Sequence, residues 1–475
     1  MSYQLLRRDF LRLGAGVCAL SLNGPVWLGQ QAFSTPSLIS PGCWKSKVRI
    51  AKIYMGTPKA HWPTPLMDLT SEMQRYEEEI NGMQDGFSDV EFVASELVTS
   101  LEQAEQLKEK VDGVDGILII HLSMGILPLI KPILSAGYPT VLFSAPYSGH
   151  EWIHFGELEK EAKGQLVVIL SSDLRKLADG INPIRAIHHL REAKILNLTT
   201  NPMDNSLLEK ARTVFGTEIV PVSLDRILSL YHAIPDSEAR SETDKWIIKA
   251  MEVVEPSQEE IYRSCKLALA FERLLEEEQA TVITADCYGS MHHKLPAYPC
   301  IGFTRLNDIG LGGICESDLE SALTFILFQG LCGRPGFISD PTVDGDTIIL
   351  AHCLGTRKME GPNKPGAPYK LRSIMERQEG AVPQIFMKAG NSVTQARIVG
   401  VEKILCFTGQ IIAAPDNDRG CRTKITVRVD GDVESLWKNW SHGLHRVTCL
   451  GNIRKGIERF CGFKNLEFID EARPV

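Results

Sequence analysis

The chain predicts an α/β protein: two units built on parallel sheets, followed by a small antiparallel β domain. Three observations carry this. Its 475 residues suggest two to four domains at roughly 100–200 residues each. From Lys47 onward, short apolar runs alternate with helix-period segments, the pattern of strands crossing over through helices. After about Gly355 the pattern changes to a Gly/Pro/Lys-rich loop, "GTRKMEGPNKPGAPYK", and then to short β-type runs. The resulting division is a leader and linker at 1–45, a first α/β domain at 46–164, a second at 165–355 and a β-rich domain at 356–475.

Taken in order, "VRIAKIYM", "VEFVAS", "GILIIHLS" and "TVLFSAP" read as strands, with helical patterns at Asp68 to Asn81 and Leu101 to Val111 between them. "LVVILSS", "AKILNLT" and "TEIVPVS" continue the alternation, so the second unit is expected to start near residue 165. A polar helical stretch from Ser237 to Gln279 leads to "ATVITADC". Beyond the loop, "PQIFMKA", "TQARIVGVEKILCFTGQIIAA" and "TKITVRV" supply the antiparallel strands, and "IRKGIERFCGF" a last helix.

The first segment, "LRRDFLRLGAGVCALSL", places Arg7 and Arg8 ahead of Phe10, Leu11 and a short apolar run. That is the layout of a signal peptide of twin-arginine type. It predicts export to the periplasm, with cytoplasmic residence as the alternative. Asn23, Gly24 and Pro25 interrupt the run too early for a spanning helix, and no stable membrane span is expected in the mature form. The net charge of −8 and the lack of basic runs argue against a nucleic-acid partner. The 12 cysteines include no CxxC pair and mostly lie in apolar segments, as buried small hydrophobes do. Folding in a reducing compartment fits both routes, because the twin-arginine pathway exports folded proteins.

Three expected strand endings carry chemistry. "GGIC" ends at Glu316, "GFIS" at Asp340 with Pro341 as the stop, and "DTIILA" at His352. Ser317 and Glu320 form a possible capping box for the following helix. Ligands of open α/β sheets bind outside the carboxyl ends of strands. Glu, Asp and His together suit a divalent ion such as Mn²⁺ or Mg²⁺. Each residue also has an ordinary reading: a cap residue, a turn former, a structural histidine. Cys353, beside His352, reads as core.

"PCIGFTRLNDIGLGGICESD", "FISD", "ILAHC", "CRTKITV" and "NWSHGLHRVTCLG" resemble the L-fucose/L-arabinose isomerase family, closest to its fucose-isomerase-like branch. The resemblance is strongest over about 280–470. It implies two Rossmann-like domains and an antiparallel β domain, with Mn²⁺-dependent aldose–ketose isomerisation through an enediolate and a homo-oligomer. By motif, Glu316 and Asp340 match the acidic ligands and the catalytic pair. His445 matches the C-terminal histidine ligand, and His352 an additional histidine ligand of the arabinose-isomerase branch. Asn307 and Asp308 match a motif that shapes the substrate pocket. Relatives often carry two adjacent histidines where this chain has Leu444 and His445, so His442 is a substitute candidate for substrate contact. Leu354 stands where relatives often have Thr. The alternative function is an exported sugar-binding protein with a relict isomerase site.

Other features are bland. His188 and His189 lie in a predicted helix and read as structural, whereas His292 and His293 follow a strand end. "GLGG" precedes a strand and is no dinucleotide fingerprint. There is no GxxxxGK[ST] loop and no HExxH.

Overall fold

The computed structural model describes residues 46–474; the expected signal segment with Arg7 and Arg8 lies outside them. The first sheet holds β1 (Val48–Met55), β2 (Val90–Val98), β3 (Gly116–His121), β4 (Thr140–Ser144) and β5 (Leu166–Leu170) in the parallel order β2-β1-β3-β4-β5. β1 and β3 are buried almost throughout, as strands covered by helices on both faces must be. β5 corrects the expected start of the second unit. Leu166, Val167 and Ile169 bury themselves in the cores of the first sheet, and β5 pairs with β4.

The helix Ala178–Glu192 then leads to the second sheet. This comprises β6 (Lys194–Leu198), β7 (Glu218–Pro221), β8 (Val282–Ala285) and β9 (Gly312–Cys315), parallel in the order β7-β6-β8-β9. His188 and His189 are buried in that helix. His188 Nδ1 lies 2.9 Å from Asp115, and Arg185 of the same helix donates two hydrogen bonds to Asp89, at 2.9 and 2.5 Å.

The antiparallel part begins earlier than residue 356. β10 (Phe337–Asp344) and β11 (Thr347–His352) form a hairpin. After the small pair β12 (Tyr369–Arg372) and β13 (Val382–Ile385) come β14 (Ser392–Val399), β15 (Lys403–Ala413), β16 (Thr423–Val429), β17 (Arg446–Leu450) and β18 (Glu467–Asp470). Pairing runs β14-β17-β10-β11-β16-β15 and returns from β15 to β14. Six antiparallel strands therefore close into a barrel, which removes its open edges; β18 joins β15 in parallel.

Pro341 does not stop its strand. It pairs with Leu350 on one side, whereas β17 covers only Phe337 to Ser339 on the other. The missing N–H therefore falls where β10 has no second neighbour, a position that tolerates proline. Among the described residues no helix is long and apolar enough to cross a membrane.

Candidate metal centre

The centre forms where the end of β9 meets the rim of the barrel. β9 opens with two glycines for reasons of space. A Cβ on Gly312 would lie 2.6 Å from Val282, and one on Gly313 would lie 2.4 Å from the Phe303 backbone. The strand can therefore pack tightly between β8 and the helix Cys300–Asp308. Directly after it, Glu316 (φ 63°) and Ser317 (φ 54°) both adopt the left-handed conformation. Two consecutive non-glycine residues there cost about 1–2 kcal/mol each. The strain reverses the chain and leaves the Glu316 side chain at the strand end, 35% exposed.

The expected capping box is corrected. Ser317 Oγ is buried without a hydrogen-bond partner, and its positive φ is not that of an N-cap. Asp318 caps the helix Leu319–Cys332 instead, accepting from Ser321 N at 3.0 Å. Glu320 turns to the barrel, accepting from Gly400 N at 2.7 Å and from Arg397 at 2.8 Å.

Strand register delivers the other groups. Asp340 pairs with Ala351, whose neighbour His352 ends β11. His445 immediately precedes Arg446, which pairs with Ser339 beside Asp340. Buried Arg446 fixes this last loop by donating to Glu471 at 2.9 and 2.6 Å and to the His445 carbonyl at 2.9 Å. The result is one cluster. His445 Nε2 lies 3.2 Å from Asp340 Oδ1 and 3.7 Å from Glu316 Oε2, and His352 Nε2 lies 3.8 Å from Glu316 Oε1. One ligand atom each from Glu316, His352 and His445 falls within 4.8 Å of the others.

These residues fit a divalent ion. His352 Nε2, His445 Nε2 and Asp340 Oδ1 are buried and make no aligned hydrogen bond, although such groups are normally satisfied. His445 Nδ1 lies 2.9 Å from Asp318 Oδ2. A carboxylate only accepts, so Nδ1 carries a hydrogen and Nε2 is the nitrogen that faces the cluster; an ion that displaced the Nε2 proton would complete the carboxylate–histidine–metal arrangement. Arg397 in turn holds Asp318 through contacts of 2.7 and 3.2 Å. Asp318 and Arg397 were missed from sequence. In sequence Asp318 is only one acid at a helix start, and nothing local marks Arg397, 79 residues further on.

Electrostatics agree. Burial holds the His352 imidazole down to about 4, so it is neutral. Burial also opposes a charge on His445, but Asp318 and Asp340 outweigh it and raise that group to about 10, so without an ion the imidazolium itself balances the two carboxylates. Burial raises Glu316 as well, reinforced by repulsion from Asp340 and Asp318 against the pull of His445. Asp340 is lowered, because its contacts with His445 and His352 overcome burial.

The remaining sequence candidates sit differently. Asn307 bonds the Gly313 backbone in both directions, at 2.7 and 3.3 Å, and reaches Thr356 at 3.2 Å. Asp308 accepts from the Arg357 and Lys358 N–H groups, each at 2.9 Å. Asn307 therefore ties β9 to their helix, and Asp308 ties the loop after β11 to it. His442 is exposed at φ 55°, and among the described residues no hydrogen bond or ion pair joins it to the cluster.

No family model matches the chain. A sulfoquinovose isomerase from Alkalicoccus urumqiensis is 21% identical over 222 residues, which cover 45% of this chain and 49% of that protein. The chain thus matches about half the length of this curated relative, a distant likeness to a sugar isomerase.

Proposed function

We propose that the protein is a metal-dependent aldose–ketose isomerase acting on a sugar. The observation that carries this reading is that Glu316, His352 and His445 bring one ligand atom each within 4.8 Å of the others, with Asp340 Oδ1 3.2 Å from His445 Nε2 and the His352, His445 and Asp340 atoms buried without a hydrogen-bond partner. The distant likeness to a sugar isomerase supports it. Glu316, Asp340 and the Nε2 atoms of His352 and His445 would hold the ion, Mn²⁺ or Mg²⁺ by the hardness of the donors. Such an ion supplies Lewis-acid polarisation of the sugar carbonyl.

The chain's own groups handle the protons. Glu316 combines partial exposure with a raised affinity for a proton, which suits a group that takes the C2 proton and returns it to C1 of the enediolate. Asp340 holds its charge and His445 is fixed by Asp318. The hydroxyl proton moves from O2 to O1, so aldose and ketose balance without a further reactant. A homo-oligomer is proposed with this reading and is tested by light scattering.

The deciding experiment is NMR of aldoses incubated with chelator-stripped protein, with and without Mn²⁺. Sulfoquinovose belongs in the panel because the relative is named for it. Metal-dependent appearance of a ketose is expected. No conversion of any aldose by the loaded protein would overturn the reading.

A further inference from the structure

Beyond this centre, two groups of ligand-type side chains stand together among the described residues. In one, His293 is 64% exposed and its partner Glu379 already accepts from the Tyr298 hydroxyl at 2.5 Å. The other is built of softer donors. Cys353 follows β11, Cys421 lies two residues before β16, and Glu376 sits between β12 and β13. Cys353 Sγ is 3.9 Å from Cys421 Sγ. Glu376 lies 3.2 Å from Cys421 Sγ and 3.9 Å from Cys353 Sγ. The Tyr288 hydroxyl is 3.6 Å from Cys353 Sγ and 3.3 Å from Glu376.

The spacing discriminates between uses. A disulfide needs its sulfurs at about 2.0 Å, nearly two ångströms closer than observed. Two thiolates bound tetrahedrally to one zinc at about 2.3 Å lie about 3.8 Å apart, and a thiolate and a carboxylate oxygen about 3.6 Å apart. The observed separations bracket these values without moving the backbone. Thiolates select zinc over the Mn²⁺ and Mg²⁺ that suit carboxylates.

We propose that Cys353, Cys421 and Glu376 bind a zinc-type ion, with the Tyr288 hydroxyl at the fourth position, as a second metal site distinct from the Glu316 centre. Binding forms two metal–sulfur bonds and releases two thiol protons to solvent. The ion would tie together the segments carrying Tyr288, Glu376 and Cys421 and the residue after His352. It therefore acts as a clamp on one wall of the first centre. The proposal does not depend on the isomerase reading.

Cd²⁺ serves as the probe, because its thiolate complexes absorb in the ultraviolet through charge transfer. The full chain is reduced, stripped with chelator and titrated anaerobically. One equivalent of Cd²⁺ should raise a thiolate band. The Cys353→Ser/Cys421→Ser pair should lose it. Glu376→Gln, a change at an exposed position, should keep the fold and weaken Cd²⁺ binding at least tenfold. Glu316→Gln should leave the band intact. No band in the parent protein, a band undiminished in the double variant, or its loss in Glu316→Gln would each overturn the proposal.

Discussion

Two buried histidine–carboxylate clusters in this chain look alike in composition and differ in what balances them. In the first, Asp89 receives two hydrogen bonds from Arg185, while Asp115 accepts from Arg191 at 2.6 Å, from the Arg49 N–H at 2.8 Å and from His188. Asp89 and Asp115 each have their own guanidinium there, whereas Glu192, 3.4 Å from His188, has none among the described residues. In the second, only Asp318 has one, from Arg397. Glu316 and Asp340 face His352 and His445 with no arginine or lysine ion-paired to either among the described residues. In the closed cluster Asp89 and Asp115 are balanced by arginines, whereas in the open one Glu316 and Asp340 have only the His445 imidazolium opposite them among the described residues, where a metal ion would take its place.

The largest expected effect breaks the closed cluster. Arg185→Ala leaves Asp89 buried, 2% exposed, and uncompensated. Removing one partner of a buried pair costs about 3–5 kcal/mol, a large part of a typical total stability. Urea unfolding measures it; a loss under 1 kcal/mol would place this pair with ordinary surface pairs. Next comes the open cluster. Glu316→Gln should lower isomerase turnover by about 10²–10⁴-fold, the range for removing a general base, while the unfolding midpoint stays the same or rises. A Gln variant equally active, or one that unfolds like Arg185→Ala, would erase the contrast. Smaller again is Asp318→Asn. It keeps the cap on the helix Leu319–Cys332 but weakens the acceptor at His445 Nδ1. Mn²⁺ affinity should fall about 10–100-fold, the usual effect of the group behind a metal-bound histidine. Calorimetry reads it, and unchanged affinity would remove Asp318 from the centre.

The same contrast explains what could be read from sequence. Parallel strands were legible because β3 and β9 are short, nearly continuous apolar runs. Glu316 was legible because an acid at the end of such a run stands out. Sheet membership was harder: nothing local separates β5, which closes the first sheet, from β6, which belongs to the second. Pro341 misled because its tolerance depends on where β17 stops, a property of pairing and not of the residue. Asp318 and Arg397 belong to the centre only through contacts across the helix start and barrel, so periodicity could not find them. Asn307 and Asp308 announced a motif but not a direction, and their polar atoms point into the fold.

The smallest effect concerns acid. Burial alone would raise Asp89, yet the contacts with His189 and Arg185 outweigh it and hold this carboxyl below its ordinary value. A carboxylate with a depressed folded-state pKa adds stability above its unfolded value near 4, and that contribution disappears as pH falls through the folded value. The parent protein should therefore keep the Asp89 contribution between pH 5 and 7 and lose it below about pH 4. Asp89→Asn removes the titrating group. The gap in unfolding free energy between parent and variant should be constant near neutrality and narrow steadily below about pH 4. Both are measured as chelator-stripped protein, so that the open cluster contributes equally to each curve. A gap independent of pH down to about 3 would mean that Asp89 carries no charge-dependent share of the stability, and that its guanidinium partner is not what distinguishes the two clusters.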